Sequence, residues 1–185
     1  DLRLAGTIPL TEPYTALGYA QAAGGGGETT ATTVLSTTGN NAIVDWVRLE
    51  LRSVAEPRVV VATRQALVQR DGDIVKGNGN AFVEFGVGPG NYYVTVRHRN
   101  HLAAMTAAPI ALSATVTVLD LSSAAVNTFG VEARRTVGSQ RALWSGNVLV
   151  DDRLRYTGPS NDRDPILSAI GGTVPTSTAT GYRVE

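Results

Sequence analysis

The chain has 185 residues, 43% of them hydrophobic and 17% charged, with a formal net charge of zero. That length permits one good-sized core, and the neutral balance argues against nucleic acid as a default partner, because phosphate binding draws on a basic excess. Cysteine is absent, which excludes disulfides, thiolate metal sites and cysteine nucleophiles, and no apolar run approaches a membrane span.

The composition is rich in Thr, Ala, Gly and Val and poor in Lys and Glu, as in a β-rich extracellular or cell-surface chain. It opens at Asp1 without a methionine or a visible signal peptide, as a processed product would. In residues 1–10, Leu2, Leu4, Ile8 and Leu10 share one parity, the period of a strand. Pro9 and Pro13 lack amide donors, so an edge or extended segment is expected there. Two readings follow. The segment is an ordinary first strand of its own domain, or it is an assembly strand that completes a neighbouring subunit's sheet. Gly24–Gly27 reads as a flexible link, and the threonine-rich stretch to residue 41 as a long loop or edge strand.

Ile43–Arg52 is the clearest strand: Val47, Leu49 and Leu51 alternate with Arg48, Glu50 and Arg52. Trp46 falls on the charged parity, so it is a candidate for an exposed partner or sugar face, together with Tyr93. Arg58–Arg64 and Ala66–Arg70 predict two short strands or one bent one. The Asp71-Gly72-Asp73 and 76–80 stretches are turn signals. Ala81–Val87 and Tyr92–His98 each alternate with period two, and Gly86, Gly88, Pro89 and Gly90 between them predict a hairpin. His98 and His101 stand three apart at a strand end, but the sequence offers no adjacent third ligand. Leu112–Leu121 predicts the last strand of this core. Seven or eight short strands separated by turns predict a mainly β fold, an immunoglobulin-like β-sandwich. The hairpin GPGNYYVTV resembles that of transthyretin-like or carboxypeptidase-regulatory-like sandwiches, which implies a binding or spacer module without catalysis.

Beyond Ser122 the pattern changes. Ala124–Arg135 reads as a strand or short helix, and Gly138–Asn147 has helix-like spacing. Asp164 can cap a helix with Pro165 at its first position, an apolar stripe at Ile166, Leu167 and Ile170, and Gly171 as the stop. Arg155-Tyr156-Thr157-Gly158, Asn161-Asp162-Arg163-Asp164 and Ile166-Leu167 resemble the distal half of a dockerin-like calcium repeat. That repeat occurs in large secreted surface proteins of gliding Gram-negative bacteria. RHRNHL at 97–102 and EPYTALGY at 12–19 resemble segments of the same proteins. The resemblance implies a loop–helix appendage with a calcium loop at Asn147, Asp151, Asp162 and the Arg153 carbonyl. The loop departs from the pattern, with Asn147 in place of the first Asp, Leu149 in place of an oxygen ligand and Asp152 in place of the glycine. Calcium takes six to eight oxygens, so the ligand count favours a relic held by packing and Arg–Asp pairs.

The expected organisation is an extended N-terminal segment (1–41), a β-sandwich core (42–122), a dockerin-like appendage (123–172) and a tail (173–185). No nucleophile–base arrangement, phosphate-cradling loop or carboxylate pair is recognisable. The expected function is therefore non-catalytic, without a cofactor unless calcium binds. It is a structural subunit that self-associates into an extracellular homopolymer, joined by N-terminal strand exchange. The alternatives are a surface-displayed glycan-binding or adhesion module, or a spacer domain.

Overall fold

A computed structural model describes residues 6–149, 151, 153–169, 171–174, 176 and 178. The chain is mainly β, with antiparallel sheets and two short helices. The strands are β1 (Ile43–Arg52), β2 (Val60–Gln69), β3 (Ile74–Val75), β4 (Gly90–Arg97), β5 (Ala104–Met105), β6 (Ile110–Leu112), β7 (Arg135–Val137) and β8 (Gln140–Ala142). The helices are α1 (Thr32–Leu35) and α2 (Arg163–Ala169). The main sheet runs β3-β2-β1-β4-β5, with β6 also paired to β4, and β7–β8 form a separate hairpin. Among the described residues, no helix is long and apolar enough to cross a membrane.

β1 is the axis of the sheet, with β2 on one side and β4 on the other. Its alternation sends Val47 and Leu49 to one face, where they pack with Ala66, Val96 and Ala104. Val83, Phe85, Leu121 and Leu143 cover that face. The opposite face carries Trp46, Arg48 and Glu50, in register with Leu67, Gln65 and Thr63 of β2. This charged parity is not solvated: Arg48 and Glu50 are 2% and 3% exposed. The N-terminal segment roofs it, with Ile8 and Tyr14 joining Ile43, Trp46, Leu67 and Val75 in one apolar cluster. The described residues form one six-stranded sheet whose two faces are covered by non-strand chain, without the second facing sheet of the expected sandwich.

Several elements differ from expectation for identifiable reasons. Ala81–Val87 is not a strand. One side of β4 is taken by β1 and the other by β5 and β6, and the Glu84 carbonyl instead accepts the Arg64 guanidinium at 2.9 Å. β2 is one continuous strand. The predicted strand Leu112–Leu121 is paired only as far as Leu112. Gly138–Asn147 is not helical: Gly138, at φ +60°, turns the chain between β7 and β8, the left-handed geometry that two-residue hairpin loops need. The Gly24–Gly27 run is not a free link either. Ala22 accepts the Thr63 amide at 3.0 Å, and a Cβ on Gly25 would meet Thr63 Oγ1 at 2.2 Å. Only glycine lets the backbone lie this close to the free edge of β2.

Candidate functional site

The N-terminal cover and the face beneath it enclose a buried polar arrangement centred on Glu50. Glu50 sits among three guanidiniums. Arg48 Nε donates to one carboxylate oxygen at 2.9 Å, Arg52 donates to the other, and Arg97 Nε stands 3.5 Å from the first. Burial alone would push the Glu50 carboxyl up, but Arg48, Arg97 and Arg52 together hold it below its ordinary value. Arg48 also donates to Gln21 Oε1 at 2.8 Å and to the Ala20 carbonyl. Gln21 accepts from Gln65 Nε2 at 2.6 Å, and Tyr19 lies under the Arg48 and Arg97 guanidiniums. Breaking a buried charge cluster of this kind by removing one partner leaves an uncompensated buried charge. Here the cluster fixes the cover to the sheet.

Trp46 corrects the expectation of an exposed aromatic face. Its ring is fully buried, and Nε1 donates to the Pro9 carbonyl at 2.8 Å. It offers no face to a sugar or a partner. Burying an indole of this size contributes about 4–6 kcal/mol of gross transfer free energy. Tyr14, also at zero exposure, donates to the Trp46 carbonyl at 2.9 Å. Its phenol is pushed well above the usual range by burial, with Asp45 adding to the shift. Tyr93 is half-buried on β4. Of the assembly-strand residues, Ile8 is 5% exposed inside its own chain's core and Leu10 is 45% exposed. Residues 6–10 are turn and bend rather than strand. Leu2 and Leu4 lie outside the described residues.

The loop expected to hold calcium is organised by a carboxylate instead. Asp162, 5% exposed, accepts the Val148, Leu149 and Arg155 amides at 2.8, 3.2 and 2.8 Å. Three backbone donors satisfy much of a carboxylate's acceptor capacity. Asn147 donates from Nδ2 to the Asp151 carbonyl, and Asp151 Oδ1 accepts the Arg153 amide at 2.8 Å. The four residues named from sequence therefore lie in one loop, where the Asp151 and Asp162 side-chain oxygens accept backbone amides and Asn147 Oδ1 is buried without a partner among the described residues. Among the described residues, no group of three His, Cys, Asp or Glu side chains is arranged to hold a metal ion. α2 begins at Arg163, so Asp164 is not its cap. Asn161 caps it, accepting the Asp164 amide at 2.9 Å. Gly171, at φ +67°, follows the last turn as expected.

A polar chain that the sequence hid lies at the end of β4. Asp45 Oδ2 is 3.0 Å from His98 Nε2 and 3.0 Å from Arg99 Nη2. His98 Nδ1 faces His101 Nδ1 at 2.9 Å. Burial, and then the neighbouring His98, hold the His101 imidazole below its ordinary value, against Asp45. Asp45 is 53 residues from His98 in sequence, which is why spacing alone could not bring them together.

An open depression of about 480 Å³ lies between Leu102, Val131, Trp144 and Leu154. Its lining includes Arg97 and Glu132 but no hydroxyl, thiol or imidazole. No protein-family model, curated protein or solved structure matches this chain.

Proposed function

We propose that the chain is a non-catalytic structural module of an extracellular fibre or cell-surface assembly, joined to further copies by strand addition. The observation that carries this reading is the stretch 113–120. It continues directly from β6, and its sequence S-A-T-V-T-V-L-D alternates threonine and valine as a strand does. No backbone hydrogen bond joins residues 116–119 to any other described residue. Val116 and Val118 are 51% and 88% exposed. Residues 116–119 are uncharged, β-forming and open along the backbone, a template for pairing with another chain.

In this reading the sheet with its two covers is the transthyretin-like body, and the stretch 147–169 is a dockerin-like appendage held by Asp162 rather than by calcium. The pairing segment moves from the N-terminus to 113–120, because Ile8 and the glycine run are engaged with their own sheet.

The test is sedimentation velocity with negative-stain electron microscopy on the wild type, on Val116→Lys/Val118→Lys and on a deletion of residues 1–5. Concentration-dependent polymers lost only in the lysine variant are expected. Polymers lost only in the deletion would return the role to the N-terminal strand. A wild type that stays monomeric at all concentrations refutes the assembly function.

A further inference from the structure

β4 ends in a turn at 98–101, closed by the His101 amide donating to the His98 carbonyl at 3.2 Å. The turn brings both imidazoles together with their Nδ1 atoms 2.9 Å apart. The ring centroids are 4.6 Å apart, and the ring planes meet at 87°. Two rings in head-on contact through nitrogens at that distance would have more widely separated centroids. The ring axes are therefore bent off the line joining the two nitrogens. Metal–imidazole bonds of about 2.0–2.1 Å, meeting between a right angle and the tetrahedral angle, place their nitrogens about 2.9–3.4 Å apart. The observed separation falls at the right-angle end of that range.

The rest of the turn suits the same role. Asp45 Oδ2 is 3.0 Å from His98 Nε2, and the Asn100 amide points at His98 Nδ1 at 3.4 Å. With Nε2–H donating to the carboxylate, Nδ1 of His98 carries the lone pair. A carboxylate behind the distal nitrogen is the usual support of a metal-binding histidine, fixing its tautomer and raising its basicity. Asn100 Oδ1 lies 3.2 Å from His101 Nδ1, on the same cluster. Asp45 also holds Arg99, which offsets the positive charge beside the turn. Asp45 holds the His98 ring from its other nitrogen, so little conformational freedom is lost when a cation replaces the Asn100 amide at Nδ1.

We infer that the turn 98–101 is a chelating site for a divalent late-transition cation. His98 Nδ1 and His101 Nδ1 are its nitrogen ligands, Asn100 Oδ1 is an oxygen ligand, and water completes the shell. Two imidazoles with one amide oxygen suit the Ni²⁺, Cu²⁺ and Zn²⁺ class rather than Ca²⁺ or Mg²⁺. The cation takes the place of the proton between the two Nδ1 atoms, and His101 carries its N–H on Nε2 instead, so both ligands bind as neutral imidazoles.

The experiment is calorimetric titration of the full chain with Ni²⁺, together with electron paramagnetic resonance of the Cu²⁺-loaded protein. His101→Gln is the main variant, because it leaves the Asp45–His98 pair in place. The wild type is expected to take one ion, with two nitrogens in the Cu²⁺ spectrum. His101→Gln should lose at least tenfold in affinity and show one nitrogen fewer, with an unchanged circular dichroism spectrum. Asp45→Asn, which keeps both imidazoles, should weaken binding about tenfold. Absence of stoichiometric binding by the wild type overturns the inference, and so does equal binding by wild type and His101→Gln. Neither result bears on the assembly function.

Discussion

Replacing Gly25 by alanine distinguishes a docked N-terminal cover from a flexible link by the sign of the effect. In a link with no neighbours, Gly→Ala stabilises by about 0.4–1 kcal/mol, because it removes conformations from the unfolded chain. Here the new Cβ would stand 2.2 Å from Thr63 Oγ1 and 2.3 Å from the Thr63 carbonyl oxygen. One of the two is backbone in a paired strand, so the cover must move away. Two hydrogen bonds depend on the approach: Thr63 N–H to the Ala22 carbonyl at 3.0 Å, and Ala22 N–H to Thr63 Oγ1 at 3.1 Å. At about 0.5–1.5 kcal/mol each, their loss costs about 1–3 kcal/mol. Loosened packing of Tyr14 and Ile8 over Trp46 brings the expected destabilisation to about 2–4 kcal/mol. Urea unfolding followed by tryptophan fluorescence measures it directly. A neutral or stabilised Gly25→Ala protein would refute the docked cover.

Two further substitutions test the polar arrangements. Glu50→Gln removes the one carboxylate among Arg48, Arg52 and Arg97, and should cost about 3–5 kcal/mol by leaving buried cations uncompensated. The folded carboxyl of Glu50 lies below its ordinary 4.5. Its contribution is therefore fully present above that value and is lost as pH falls through the folded one. Urea midpoints should fall below about pH 4.5 in the wild type and flatten in Glu50→Gln; equal acid sensitivity would remove Glu50 from the explanation. Asp162→Ala should speed hydrogen exchange of the Val148, Leu149 and Arg155 amides at least tenfold while sparing β1 and β2. Unchanged exchange there would mean that Asp162 does not organise the loop.

The alternation of Ile43–Arg52 made β1 and its two faces readable from sequence, including the placement of Trp46 with Arg48 and Glu50. What alternation could not say is that the charged face is roofed. That depends on Gln21, Tyr19 and the glycine run arriving from more than 25 residues away. Parity likewise found Val83 and Phe85 as inward-facing residues, but pairing is a competition for edges, and β1, β5 and β6 occupy those of β4. The same limit applies to the histidines. RHRNH announced two imidazoles, while the carboxylate that orients one of them sits across the sheet on β1. At 147–169 the Asp and Asn pattern located the loop and the helix that follows it. The choice between amides and a cation for Asp162 rests on backbone direction, which residue types do not encode.

The docked cover also imposes an order of events on folding. Its landing site consists of side chains on β1, β2 and β4, and the Tyr14 hydroxyl reaches the Trp46 carbonyl at 32 residues' separation and the Arg97 carbonyl at 83. Residues 8–28 therefore leave the ribosome before any surface exists for them to bind. A segment synthesised ahead of the sheet is thus placed after it. Its closure entropy is met only once the sheet has formed, so the charged face of β1 stays wet until the cover docks.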